Sequence, residues 1–79
     1  MRVRLPRITA REMIRILERR GFDLSRSSGS HPIYKNKEGR RVTISVHTGR
    51  ILHPKVLKSI LRDIKMSVDD LTVELKRKV

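Results

Sequence analysis

The sequence predicts a small α+β domain in which a helix, three short antiparallel strands and a second helix follow one another. Apolar residues recur at helical spacing near the start of the chain and again after residue 54. The segments between them alternate apolar and polar residues and are separated by glycine-containing turns. Such short connections favour an antiparallel meander with the helices packed on one face, so that the other face of the sheet is free and basic.

Length and composition restrict the class of protein. The 79 residues suffice for one small domain, with a core expected over about 5–66 and a C-terminal extension over 67–79. A net charge of +12 favours a polyanion or an acidic protein as partner. Cysteine is absent, which excludes disulfides and cysteine-bound zinc. Because the N-terminus lacks an apolar signal region and no apolar run reaches membrane-spanning length, we expect a cytoplasmic protein.

The first helix is predicted over residues 10–20. Thr9 and Glu12 have the spacing of a capping box, and Ile8 and Met13 that of a hydrophobic staple. Gly21 suits the residue after the helix. The apolar face is expected to contain Ala10, Met13, Ile14 and Leu17. Another face carries Arg11, Arg15 and Arg19. Such a face is usually only solvated, but at this net charge part of it can follow a phosphate backbone.

Three strands are expected next. Phe22 and Leu24 alternate with polar residues and predict a first strand that ends in a turn over 27–30. A second strand is predicted over about 33–37, followed by a turn that contains Gly39. The third strand has the clearest alternation. Val42, Ile44 and Val46 are predicted to face the core, whereas Arg41, Thr43, Ser45 and His47 face the opposite side.

The second helix is predicted over about 54–65, with His53 at its start and Pro54 in its first turn. Its apolar stripe is expected to comprise Val56, Leu57, Ile60, Leu61 and Ile64. The C-terminal extension allows two interpretations. Ser67 and Asp70 resemble a capping box and indicate a short helix, in which Val68, Leu71 and Leu75 would share one face. The alternation of Leu71, Val73 and Leu75 also fits a strand.

The turn at Gly29-Ser30-His31 is the strongest candidate for chemistry. Gly29 can adopt the positive φ of a tight turn, and the Ser30 hydroxyl can approach an anion. Histidine is the side chain best suited to proton transfer near neutral pH. From these residues alone, His31 is either an exposed turn residue or a general acid or base. Lys35 and the surrounding arginines can supply positive charge for a phosphate. Tyr34 can stack on a base, but we expect it to pack half-buried.

A metal-free ribonuclease is compatible with this set of residues, because RNA carries its own nucleophile in the 2′-hydroxyl. It needs one base, cations for the phosphorus centre and a proton donor for the leaving 5′-oxygen. His47 can be the second proton carrier, a phosphate contact or simply a solvated histidine. The three histidines lack the spacing of metal ligands, so no metal is expected. No nucleotide-binding glycine loop is present, and we expect no cofactor.

Five segments together resemble the HicA-type toxins of toxin–antitoxin systems, over about residues 5–71. They are Leu5-Pro6, Leu17–Phe22 (LERRGF), Gly29–Tyr34 (GSHPIY), Val42–His47 (VTISVH) and Leu57–Leu61 (LKSIL). The resemblance implies a double-stranded-RNA-binding-domain-like fold and metal-independent cleavage of mRNA. It also implies a HicB-type antitoxin that covers the active histidine, which corresponds to His31. His47 matches a second recurrent histidine. Ser45 and Lys55 depart from the family pattern, which usually has proline and glycine there.

The sequence therefore predicts a cytoplasmic endoribonuclease toxin with His31 as general acid or base, supported by Gly29, Ser30, Lys35 and His47. Its expected partners are mRNA and an antitoxin with an acidic surface. One alternative is a non-catalytic RNA-binding module of the same fold, which would not need the Gly29-Ser30-His31 turn. A second is an interaction protein whose charge serves only to bind an acidic partner. That protein would have no affinity for RNA at moderate salt.

Overall fold

The computed structural model of the chain describes residues 5–27, 29–46 and 50–77 and shows an α+β fold. The elements in chain order are α1 (Ala10–Arg19), β1 (Asp23–Arg26), β2 (Ile33–Lys35), β3 (Arg41–Thr43), α2 (Pro54–Ile64) and α3 (Val68–Lys76). The strands form one antiparallel sheet in the order β1-β2-β3. The predicted α-β-β-β-α layout is thus confirmed, and a third helix follows it.

The start of α1 is fixed by the predicted capping box. The Glu12 backbone N–H donates to Thr9 Oγ1 at 3.2 Å, and the Thr9 N–H donates to Glu12 Oε1 at 2.8 Å. Gly21 follows the helix with φ +87°, where a side chain would be strained. The buried face comprises Ala10, Met13, Ile16 and Leu17. Three of the four predicted residues are therefore confirmed. Ile16 is buried in addition, whereas the predicted Ile14 is only half-buried.

The sheet separates an apolar face from a charged one, because residues opposite each other on antiparallel strands point to the same side. Leu24, Tyr34 and Val42 are aligned across the three strands, and Tyr34 and Val42 are buried in the core. Leu24 lies on this same side but is 54% exposed. The other side carries Asp23, Arg26, Ile33, Lys35, Arg41 and Thr43, which we call the open face.

Two of the strands end earlier than predicted. β2 is shorter than predicted because Asn36 begins the next turn, where its Oδ1 accepts hydrogen bonds from the N–H groups of Glu38 and Arg40. The regular pairing of β3 with β2 ends at Thr43, but the chain continues in the same direction. Ile44 is buried, as predicted, and its N–H donates to the Pro32 carbonyl at 3.0 Å.

One apolar prediction for the helices was wrong, and the open alternative for the C-terminal segment is decided. Val56 was expected in the buried stripe of α2, but it is 41% exposed, because the stripe begins one residue later at Leu57. The C-terminal segment is a helix and not a strand. Ser67 and Asp70 form its capping box, and Leu71 is fully buried whereas Val73 is 58% exposed. These exposures follow the period of a helix rather than the period of a strand.

The core lies between the helices and the apolar face of the sheet. Its most deeply buried side chains are Ile8, Met13, Ile16, Leu17, Val42, Ile44, Leu57 and Leu71. Ile8 belongs to the segment before α1, which is held in place because the Leu52 N–H donates to the Ile8 carbonyl at 2.8 Å. Within the described residues, no helix is long and apolar enough to cross a bilayer.

Candidate functional site

The Gly29-Ser30-His31 turn connects β1 to β2 and is exposed to solvent. Gly29 has φ +57°, as expected for a tight turn. The His31 side chain is exposed, and its Nδ1 lies 3.3 Å from Ser30 Oγ. When the Ser30 hydroxyl donates to Nδ1, the proton of a neutral imidazole is on Nε2, which is the nitrogen farther from the backbone. The Nδ1 nitrogen of His31 therefore contacts Ser30, whereas the Nε2 nitrogen faces solvent.

The backbone on both sides of His31 is anchored to the chain that follows β3. The Ser30 carbonyl accepts a hydrogen bond from the Val46 N–H at 2.8 Å, and the Pro32 carbonyl accepts one from the Ile44 N–H at 3.0 Å. The histidine thus has an exposed side chain on a fixed backbone. Such a combination suits a group that must meet a large substrate at a defined position.

The supporting residues predicted from the sequence have different positions. Lys35 is exposed on the open face and lies opposite Asp23 on β1 and Arg41 on β3. It is four residues from His31, which is about 13 Å along an extended chain. Lys35 can therefore contact a neighbouring part of a polymer that reaches His31. The predicted position of His47 lies outside the described residues.

The open face is cationic. Three of its six residues are Arg26, Lys35 and Arg41, and all three are exposed. Asp23 is its single carboxylate. Because this face begins where the His31 turn enters β2, positive charge extends from the histidine across the sheet. An extended polyanion can follow such a surface.

Other arginines hold the fold together. Arg19 Nε donates to Glu74 Oε1 at 3.1 Å, and Arg20 Nε donates to Glu74 Oε2 at 2.8 Å. Arg19 also donates through Nη2 to the Glu74 carbonyl at 3.0 Å. These bonds join the end of α1 to α3. Arg40 similarly donates to the Asp63 carbonyl near the end of α2, at 3.1 Å.

Glu74 was not anticipated from the sequence, although it lies three residues after the buried Leu71 and thus on the same side of α3. Its side chain is almost completely buried. Burial by itself would raise the pKa of the Glu74 carboxyl, but hydrogen bonds from Arg20 and Arg19 and the charges of both lower it below its ordinary value. The carboxylate is therefore ionised, and it forms ion pairs with two cations at the end of α1, Arg19 and Arg20.

The aromatic residues belong to the core. Tyr34 is 7% exposed and Phe22 is 3% exposed. Burial raises the pKa of the Tyr34 phenol, and the negative charge of Glu18 adds to this shift. The expectation that Tyr34 has a packing role is confirmed. Since these are the only Phe, Tyr or Trp residues in the chain, no such side chain is exposed to stack on a base.

His53 has a structural role at the start of α2, as predicted. It is the N-cap, and its Nδ1 accepts a hydrogen bond from the Lys55 N–H at 3.1 Å. Across residues 5–27, 29–46 and 50–77, no group of three His, Asp or Glu side chains is arranged to hold a metal ion.

Taken together, the fold and the turn define a small basic α+β protein with an exposed histidine beside a cationic sheet face. The family model described as the HicA toxin of bacterial toxin–antitoxin systems matches residues 10–66, which is more than half of the chain. The chain therefore belongs to the HicA toxin family, as the sequence motifs predicted. Membership implies an antitoxin partner. No curated protein matches the chain significantly. Helix α3 lies beyond the matched residues.

Proposed function

We propose that this toxin is a metal-independent endoribonuclease that cleaves mRNA, with His31 as the general acid or base. The observation that carries the proposal is the exposed His31 side chain on an anchored backbone beside the cationic open face. Its inhibitor would be a HicB-type antitoxin with an acidic surface. Since mRNA is the substrate, the toxin would act in the cytoplasm.

The reaction is a transfer within the RNA backbone. A base removes the proton of the 2′-hydroxyl, and the 2′-oxygen attacks the adjacent phosphorus. The P–O5′ bond breaks, and a proton donor protonates the leaving 5′-oxygen. The products are a 2′,3′-cyclic phosphate and a 5′-hydroxyl. His31 Nε2 is suited to one of these proton transfers, and cations of the open face bind neighbouring phosphates of the RNA.

Incubation of the protein with a defined RNA in the presence of a chelator tests the proposal. We expect fragments that carry a 2′,3′-cyclic phosphate or a 3′-phosphate and a 5′-hydroxyl. Fragments with a 5′-phosphate would instead indicate an activated water and contradict the mechanism. Binding without cleavage would favour the non-catalytic RNA-binding module, which the cationic open face also supports.

A further inference from the structure

A groove runs between the segment before α1 and the start of α2. It consists of two adjoining cavities of about 280 and 560 Å³, which share residues 50–53. We call it the α2 groove and define it by Arg7, Arg50, Ile51, His53 and Val56. These residues come from three segments of the chain, and the hydrogen bond between Leu52 and Ile8 holds two of the segments together.

The groove contains exposed aliphatic side chains. Ile51 is 45% exposed and Val56 is 41% exposed, and both line the smaller cavity. Among the described residues, the other two exposed large apolar side chains are Leu24 on β1 and Val73 on α3. Covering aliphatic groups with an apolar partner is favourable because their surface is removed from water. The α2 groove is therefore the place where such side chains line a concave surface.

The rim of the groove is positively charged. Arg7 and Arg50 are exposed, and neither forms an ion pair with an acidic residue in the described part of the chain. No Asp or Glu lines either cavity. The first turn of α2 also lacks an acidic residue, so no carboxylate compensates the positive end of the helix dipole beside His53. A ligand with carboxylates flanking aliphatic side chains complements these features.

We propose that the α2 groove binds an acidic segment of the antitoxin that carries aliphatic side chains. RNA is the poorer fit, because exposed aliphatic residues offer no partner to a phosphate and neither Phe22 nor Tyr34 lines the groove to stack on a base. The proposal rests on the antitoxin partner that family membership implies and does not require ribonuclease activity.

The groove adjoins the candidate catalytic turn. Ser45 lines the smaller cavity, and the next residue, Val46, donates its N–H to the Ser30 carbonyl. A segment anchored in the groove therefore lies beside the turn that carries His31. The antitoxin then obtains affinity from the groove without needing contacts to the histidine itself.

Binding of the purified cognate antitoxin to groove variants tests the proposal by calorimetry. The double variant Ile51→Ser/Val56→Ser removes the exposed aliphatic groups, and Arg50→Gln removes one rim charge. We expect the Kd of the double variant to rise at least about tenfold, as for loss of an interface anchor. The matched controls, Leu24→Ser/Val73→Ser and Arg62→Gln, make the same changes elsewhere and should bind within about twofold of wild type.

An NMR titration locates the site with a defined probe, the capped pentapeptide Glu-Leu-Glu-Ile-Glu. The chemical-shift changes that it causes should concentrate on residues 50–56. The same peptide with serine in place of both aliphatic residues should not cause these changes. Wild-type antitoxin affinity in the groove double variant would overturn the proposal. So would peptide shifts that lie on the open face, or equal losses of RNA affinity and antitoxin affinity. RNA cleavage is assayed separately on each variant. Absence of cleavage would therefore refute the proposed ribonuclease function but not the antitoxin site in the α2 groove.

Discussion

The His31 turn and the contact between α1 and α3 use charge in opposite ways. Glu74 is 4% exposed, and each of its carboxylate oxygens accepts a hydrogen bond from an arginine at the C-terminal end of α1. At the turn the backbone is held by hydrogen bonds, whereas the His31 side chain remains exposed. The first arrangement uses paired charges to join two helices, whereas the second leaves the His31 side chain accessible to a ligand.

The difference distinguishes two groups among the cations of this highly charged chain. Arg19, Arg20 and Arg40 form hydrogen bonds with other elements of the fold. Arg26, Lys35 and Arg41 are exposed on the open face. Net charge treats both groups alike, although only the second is positioned to bind a polyanion. Substitutions in the two regions should therefore affect different properties of the protein.

The largest expected effect is that of His31→Ala on catalysis. If His31 is the general acid or base, its loss should lower the rate of RNA cleavage by a factor on the order of 100 to 10,000. Because the side chain is exposed, the free energy of unfolding should change by no more than about 0.5 kcal/mol. Cleavage rate, RNA affinity and melting temperature are measured in parallel on this variant and the wild type. A folded variant that cleaves at the wild-type rate would refute the role of His31.

Glu74→Gln should have the opposite pattern. The substitution keeps the shape of the side chain but removes the negative charge that pairs with Arg19 and Arg20. We expect a loss of about 1–3 kcal/mol in the free energy of unfolding, measured by urea denaturation, with cleavage by the folded protein retained. Glu38→Gln removes the same charge from an exposed turn and should remain within about 0.5 kcal/mol of wild type. Equal effects of the two variants would contradict the structural role of Glu74.

The same carboxylate predicts a dependence of stability on pH. Folding lowers the pKa of Glu74 from its ordinary value of 4.5, so its contribution is fully present above about that pH. The contribution is lost as pH falls through the lower pKa of the folded state. The difference in unfolding free energy between wild type and Glu74→Gln should therefore be constant from pH 5 to 7, as estimated from this linkage, and shrink on further acidification. A difference that grows below pH 4.5 would have the wrong sign.

The sequence predicted the elements better than their contacts. Capping residues and apolar periodicity act locally, which is why Thr9 and Glu12 identified the start of α1. Burial at the margin of an apolar stripe depends on what packs there, so Val56 was wrongly assigned to the core. The ion pairs of Glu74 were not predicted because its partners lie more than fifty residues away in the chain. For His31, local residues predicted an exposed turn but not the hydrogen bonds that anchor its backbone.

The smallest expected effect concerns single cations of the open face. If Lys35 binds a phosphate, Lys35→Gln should weaken binding of all RNA sequences alike and reduce the slope of log affinity against log salt by about 0.7, the value for one counterion on a single strand. Lys58→Gln removes another exposed cation, from α2, and should leave the slope unchanged. Fluorescence anisotropy over a salt series measures both slopes. If both variants lost affinity equally, RNA would respond to net charge and not to the open face, and the division between the two groups of cations would fail.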